Sequence, residues 1–383
     1  MKIAHVVNRL DGNGVTKAVI NLCETLSDRG ITSDIIVLEK TEYPLRIDIQ
    51  LHSLGSSGLM KRQNPIVKYV RKLAKYTVGS LAYYSLKAEK KSAQLDRLIK
   101  KEGYTHILLH CHYSKILFSK VKEAKCFPVI HNKKSKHLKA TWWLPSWINR
   151  HVMSRALVDR STIAVSKAVR NDLSKYLHVE KHQLSVLPNV INSAAITSLA
   201  KLDRPLPAKL IEKQYLLAVG RLAPQKRFDR LLKAYSMSSC ELPLVIAGDG
   251  IQLKLLQRLA RRLRINHRVI FLGHVENPYQ LMKHARLLIL SSDYEGLPTV
   301  LIEALLLHTP VLATACSGAR EAVANCKLAK LVPIRKLSVL AESINQYSLH
   351  PPTCDECNCM LDHYKPERII KEFLNLVDYE SNH

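Results

Sequence analysis

Ten short apolar runs recur along this chain in two series, and they narrow its architecture more than any other feature. The first series holds IAHVV (3–7), SDIIVLE (33–39), HILLH (106–110), PVIH (128–131) and STIAV (161–165). The second holds YLLAVG (215–220), PLVIAG (243–248), RVIFLG (268–273), RLLILS (286–291) and PVLAT (310–314). Nearly every run is continuously apolar rather than alternating, the pattern of parallel strands covered by helices on both faces. The first forty residues read as strand, glycine loop (DGNG), amphipathic helix (VTKAVINLCETLSDRG) and strand, which is a βαβ opening. Two doubly wound α/β domains are expected, and 383 residues suit that number.

Proline and charge interrupt the pattern at LPNVINSAA (187–195) and KLDRPLPAK, so the domains are assigned to 1–190 and 191–363. The tail carries a helical apolar stripe of Ile369, Ile370, Phe373, Leu374 and Val377 that must pack against something. No apolar run reaches the roughly 18 residues of a spanning helix, and MKIAHVVNRL is too short in its apolar part for a signal peptide. A cytoplasmic protein is expected. Nine scattered cysteines fit reduced thiols. Cys354, Cys357 and Cys359, with His350 and His363 near, form either a metal site or an exposed polar loop; three thiols in six positions lack the two separated pairs of a zinc site, which favours the loop.

Three stretches carry candidate chemistry. The loop Gly12-Asn13-Gly14 has Lys17 where a dinucleotide fingerprint needs its third glycine, so it is either an anion-binding helix entry or a tight turn. Arg221 and Lys226 follow a buried strand and precede an amphipathic helix, where two cations suit a diphosphate or form a solvated basic loop. In DYEGLPTVLIEALL, Pro298 suits the first position of a helix, leaving the N–H groups of Leu297, Thr299 and Val300 for an anion. Glu303 follows one turn deeper and Glu295 projects from the turn; two carboxylates flanking a phosphate site can accept bonds from the hydroxyls of sugars on either side.

GRLAPQK, LVIAGDG, VIFLGHVEN and SSDYEGLPTVLIEALLLHTPVLAT, in this order and spacing, resemble the C-terminal domain of retaining GT-B glycosyltransferases of the glycosyltransferase family 4, or group 1, type. The resemblance runs from about Tyr215 to Val323 and includes the family's Glu-x7-Glu pair as Glu295 and Glu303. A weaker one covers the first domain through the glycine loop, the strand end at His131, AVSKAV and LPNVIN. The chain departs from the family pattern at Asn13-Gly14 and at Asn189-Val190-Ile191-Asn192. The resemblance implies a GT-B fold, two Rossmann-like domains facing across a cleft, with a C-terminal helix of about 364–383 returning to the first. It implies that Arg221 and Lys226 hold the donor diphosphate with Gly14 and the amides of Thr299 and Val300. Glu303 would take the ribose hydroxyls, Val275 the base, and Glu295 with Leu297 the transferred sugar, while His131 would point toward the reacting carbon. It further implies lipopolysaccharide or polysaccharide synthesis, a UDP-sugar donor, and no cofactor; no Asp-x-Asp pair calls for a metal.

Charge bears on the acceptor. The formal net charge is +26, and between Lys61 and Ala140 20 Lys and Arg stand against 4 Asp and Glu. Basic residues lie between Tyr positions from Pro65 onward, and KKSKHLKATWWLPSWINR holds Trp142, Trp143 and Trp147. Such segments suit either an anionic membrane interface or, for the tryptophans, core anchors beside a solvated basic face. The expected enzyme is peripheral on the inner face of the cytoplasmic membrane and reaches a glycan or lipid-linked glycan. The competing reading is a basic protein that binds nucleic acid or membrane without transferring sugar; no nucleic-acid motif accompanies the charge.

Overall fold

The computed structural model describes residues 1–11, 14–39, 43, 45–54, 84–138, 146–202, 210–353 and 361–379. The chain divides into two compact units, Met1–Val190 with Ile369–His383, and Ile191–Arg368.

The first unit is built on a seven-stranded parallel sheet. Its strands are β1 (Lys2–Val7), β2 (Thr32–Val37), β3 (Leu51–Ser53), β4 (His106–Leu109), β5 (Lys125–Ile130), β6 (Thr162–Ala164) and β7 (Leu184–Val186), in the order β3-β2-β1-β4-β5-β6-β7. Side chains alternate across a strand, and here both faces are buried. Ala4, Val6 and Ile36 join Leu95 and Ile99 of the helix Ala88–Glu102 on one face. On the other, Val7, Ile35 and Val37 join Val19 and Cys23 of the helix Gly14–Ser27. That two-sided burial is why the strands read as unbroken apolar runs. The C-terminal helix, Pro366–Tyr379, buries Ile369, Ile370, Phe373 and Val377 completely or nearly so.

The second unit has a six-stranded parallel sheet, with β8 (Leu216–Val219), β9 (Leu244–Ala247), β10 (Val269–Gly273), β11 (Leu287–Leu290), β12 (Val311–Thr314) and β13 (Ala329–Val332) ordered β10-β9-β8-β11-β12-β13. Its core joins Leu216, Leu244, Ile246, Leu287 and Ile289 to Leu231 and Tyr235 of the helix Phe228–Met237 and to Leu340 and Ile344 of the helix Leu337–Leu349. Each such aliphatic side chain contributes about 1.5–3 kcal/mol by leaving water.

In both sheets the strand order reverses at one place, between β1 and β4 in the first and between β8 and β11 in the second. In open α/β sheets, ligands bind in the crevice outside the carboxyl ends of the strands at such a point.

The three cysteines at 354, 357 and 359, the tryptophans at 142 and 143, and the basic stretch 55–83 lie outside the described residues. His350 and His363 are exposed, and among the described residues no group of His, Cys, Asp or Glu is arranged to hold a metal ion.

Candidate active site

In the second unit, the loop after β8 and the loop after β11 are laced together beside the strand-order reversal. The first loop carries Arg221, passes through a short 3-10 turn at Pro224–Lys226, and enters the helix Phe228–Met237. The second runs from Ser291 to Pro298 and enters the helix Thr299–Leu306. Ser291 Oγ lies 2.9 Å from the carbonyl of Lys226 and 3.0 Å from that of Arg227. The amide of Asp293 donates to the carbonyl of Gln225 at 3.0 Å. Arg227 and Arg230 clamp the Asp293 carboxylate at 3.0 and 2.5 Å, and Arg230 also donates to the carbonyl of Ser291. Burial alone would raise the Asp293 carboxyl, but the bonds from Arg230 and Arg227 outweigh it and hold the group below its ordinary value.

This lacing brings Lys226 and Glu295 into contact, with Nζ 2.8 Å from Oε1. Glu295 is buried, and Ser292 Oγ donates to the same oxygen at 2.6 Å. Gln225 Nε2 donates to the carbonyl of Tyr294 at 2.8 Å and lies 3.4 Å from Glu295 Oε2. The carboxylate is therefore oriented through Oε1, while Oε2 keeps acceptor capacity. Arg221 is exposed and forms no ion pair among the described residues, and its charge reaches the Tyr294 phenol.

Two glycines set how closely these segments approach. A Cβ on Gly318, in the helix Ser317–Ala322, would sit 2.6 Å from the carbonyl oxygens of both Glu295 and Gly296. At Gly248, just past β9, φ is +151° and a Cβ would fall 2.0 Å from the carbonyl oxygen of Gly220.

The helix after the Glu295 turn begins one residue later than the sequence suggests: Pro298, with ψ of 88°, stands as its N-cap and Thr299 is the first helical residue. Its N-cap residue, a proline, makes no side-chain capping hydrogen bond. Thr299 and Val300, half-buried, lie in its first turn, where amides lack intrahelical partners, and Leu297 is buried beneath. Glu303, one turn on, is half-buried and close enough to Tyr279 that burial first, and then its charge, push that phenol's pKa up. Val275 is half-buried in the loop after β10, and Tyr279 opens the helix that follows it.

Gly14 and His131 belong to the first unit. Gly14 is the first residue of its helix, exposed, with nothing within 4 Å of the place a Cβ would take. His131 stands one residue past β5, and its Nε2 is 3.0 Å from His110 Nδ1. His110 Nε2 is in turn 2.9 Å from His5 Nδ1, and His5 Nε2 is 3.0 Å from Ser33 Oγ. Burial pushes His5 down to about 3, and burial followed by the charges of Lys115 and Lys134 pushes His131 down to about 3 as well. Burial, then the neighbouring histidines and Lys115, place His110 well below its ordinary value.

These depressed groups give a pH dependence of definite sign. Unfolded histidines take up protons below about pH 6.5, while the folded rings stay neutral down to much lower pH, so the unfolded state binds more protons in between. Stability is therefore full above about pH 6.5 and is lost progressively as pH falls from there toward 3. Urea denaturation of the full chain, followed by near-UV circular dichroism, is expected to show an earlier first transition at pH 5 than at pH 8. An unchanged transition would contradict the buried neutral rings.

Gln225, Ser292, Asp293, Arg227 and Arg230 around the carboxylate, and His110 behind His131, are not singled out by the sequence, although each lies in or beside a segment leaving a central strand at its carboxyl end; His5, inside β1, carries no such signal.

Two family descriptions match the chain: Glycosyltransferase Family 4 over residues 12–195 and Glycosyl transferases group 1 over residues 203–358. An uncharacterized glycosyltransferase of Methanocaldococcus jannaschii is 34% identical over 154 residues, 37% of this chain and 36% of that protein. The match thus spans only about a third of that relative's length. The N-acetylgalactosamine-N,N'-diacetylbacillosaminyl-diphospho-undecaprenol 4-alpha-N-acetylgalactosaminyltransferase of Campylobacter jejuni is 25% identical over 340 residues, 87% of this chain and 86% of that protein. Among solved structures, Anabaena Alr3699/HepE in complex with UDP-glucose superposes with a TM-score of 0.71 at 18% identity, covering 100% of both chains. The lipopolysaccharide outer core galactosyltransferase WaaB gives 0.69 at 19% identity, covering 99% of this chain and 100% of that one.

Proposed function

The chain is a glycosyltransferase of the GT-B fold, and from that premise we propose that it moves a sugar, with retention of configuration, from a UDP-sugar to a glycan or lipid-linked glycan in lipopolysaccharide core or related polysaccharide synthesis. The observation that carries the reading is the Lys226–Glu295 contact beside the β8/β11 reversal, in the turn that leads into the helix Thr299–Leu306.

When a sugar leaves a nucleotide diphosphate, negative charge develops on the departing phosphate, and fixed cations and free amides lower the barrier by meeting it. Lys226 has three donors; Glu295 takes one and aims the other two. Arg221 and the amides of Thr299 and Val300 complete the diphosphate site. With these charges in place the reaction is expected to need no divalent metal. Glu295 Oε2 and Leu297 hold the transferred sugar, Glu303 accepts from the ribose hydroxyls, and Val275 meets the base. The Anabaena structure holds UDP-glucose and the Campylobacter relative is named for a diphospho-undecaprenol substrate, which supports this donor and acceptor class.

A screen of nucleotide sugars by thermal shift, then transfer with the best ligand, tests the reading. UDP-sugars are expected to raise the melting temperature, and transfer should persist in EDTA. Stabilisation by no nucleotide sugar would refute it.

We also propose peripheral association with the inner face of the cytoplasmic membrane. Among the described residues no helix is long and apolar enough to cross a membrane. Trp147 is 61% exposed. In the second unit Ile251 and Leu255 are 86% and 58% exposed beside exposed Lys254, Arg258, Arg261 and Arg262, and this arrangement suits anionic headgroups. Co-sedimentation with anionic but not neutral vesicles is expected; a tight, salt-sensitive RNA or DNA complex without vesicle binding would favour the nucleic-acid reading.

A further inference from the structure

Arg227 holds a backbone conformation that a side chain makes costly. Its φ and ψ are +51° and 44°, in the left-handed region, where a Cβ crowds the following carbonyl and glycine is the residue best suited. Arg227 stands directly behind Lys226 and joins the 3-10 turn Pro224–Lys226 to the helix Phe228–Met237. Its amide donates to the carbonyl of Pro224 at 3.3 Å, and its carbonyl accepts from the amides of Arg230 at 2.9 Å and Leu231 at 3.2 Å. The turn closes on one side of Arg227 and the helix opens on the other. Glycine would make the same bend at lower cost, so what arginine adds here is carried by its side chain.

The guanidinium is a planar fork with donors in fixed directions. Nε and Nη2 donate to the two oxygens of Asp229 at 2.9 and 3.0 Å, which orients the plane, and Nη1 then reaches Asp293 Oδ2 at 3.0 Å. One part of the fork grips the helix that follows the turn, and the other grips the loop that carries Glu295. The Arg227, Asp229 and Asp293 side chains are 34%, 32% and 35% exposed, so solvent screens these pairs and their value lies in geometry more than in strength. Arg230 and Ser291 join the same two loops independently. Removing the Arg227 side chain therefore leaves the loops tied and loosens the turn alone. What that turn presents is the Lys226 ammonium, whose Nζ is 2.8 Å from Glu295 Oε1 and would lie 3.7 Å from a Cβ on Gly220. Between the Glu295 carboxylate and the Gly220 backbone, the direction of the chain at Lys226 decides where its ammonium stands.

We propose that Arg227 is a positioning residue for sugar transfer: by sharing its guanidinium between Asp229 and Asp293 it holds the left-handed turn behind Lys226, and so fixes the Lys226 ammonium against Glu295 before a donor arrives. The inference rests on the transferase reading, in which Lys226 meets the departing phosphate. It lies wholly within the second unit.

Arg227→Gly tests it, because glycine keeps the bend and loses only the fork. Its urea denaturation midpoint is expected to match that of the unaltered chain, while kcat falls about tenfold and donor KM stays nearly constant, the pattern of a misplaced group that acts in the transition state. Arg227→Lys keeps the charge but cannot span both carboxylates, and its kcat should be as low; full activity there would mean that charge alone counts and would overturn the proposal. Combined with Asp293→Ala, the Arg227→Gly loss should be smaller than it is alone, since the two residues act through one contact. Losses that simply multiply would show that they act separately, and an unchanged kcat in Arg227→Gly would make Arg227 a residue of the fold only. Ligand-free crystal structures of both chains supply a readout that needs no activity. Lys226 Nζ is expected beyond ion-pair reach of Glu295 Oε1, roughly 4 Å, in Arg227→Gly; an unmoved ammonium overturns the proposal. If the unaltered chain transfers sugar from no nucleotide donor, the transferase reading fails, and the crystal comparison still decides what Arg227 holds.

Discussion

Lys226→Ala is expected to lower sugar transfer about 10²–10³-fold, the usual cost of removing one donor that meets charge developing in a transition state. The same change should also weaken the fold of the second unit. Lys226 and Glu295 side chains are 20% and 8% exposed, and among the described residues the carboxylate keeps only Ser292 and the longer Gln225 contact once the cation is gone. Breaking a fully buried pair costs about 3–5 kcal/mol, and the partial exposure of Lys226 places this case below that range. The two effects separate in a second variant. Adding Glu295→Gln removes the stranded charge and should return much of the lost stability, measured by urea denaturation, while transfer stays low. Recovery of transfer in the double variant would mean that Lys226 serves only to neutralise Glu295.

Gly248→Ala should be the most damaging single-methyl change in the second unit, at about 4 kcal/mol or more, because two separate causes act there. The backbone at φ +151° is one that side-chain-bearing residues rarely adopt, and the added carbon would meet the Gly220 carbonyl oxygen at 2.0 Å. Relief requires β8 and β9 to part, which moves Gly220 and with it the loop holding Arg221 and Lys226. Gly273→Ala separates strain from space: its φ is +71°, and nothing lies within 4 Å of the new carbon. That control should lose only about 1–2 kcal/mol. Equal losses in the two variants would show that the close approach of β8 to β9 does not hold the loop in place.

Much of this fold is legible in the sequence because most of its strands are buried on both faces. All ten apolar runs became strands, and the three strands that the sequence did not announce, β3, β7 and β13, are all at sheet edges. Leu51–Ser53 is mostly exposed and Ala329–Val332 buries only Val332, so neither needs the apolar run that marks a central strand. Position beyond a strand end, together with charge, also flagged Arg221, Lys226 and Glu295. What could not be read was their pairing, since the salt bridge depends on the β8 and β11 loops meeting, and that follows from the order of strands in space. Glu303 and Tyr279 converge for the same kind of reason, from segments that are distant in sequence. The histidine string was hidden differently: His5 sits inside an apolar run, and no spacing along the chain links it to His110 or His131. The one-residue offset at Pro298 came from its ψ of 88°, which fits a cap and not a first helical turn.

The proposed diphosphate site lies between the Lys226 side chain and the start of the helix Thr299–Leu306. A crystal structure with an unreactive UDP-sugar analogue tests this most directly. Phosphate oxygens within hydrogen-bonding distance of Lys226 Nζ and the amides of Thr299 and Val300, with the ribose at Glu303, is the predicted result. A nucleotide bound away from the carboxyl ends of β8 and β11, with Lys226 still paired only to Glu295, would contradict it.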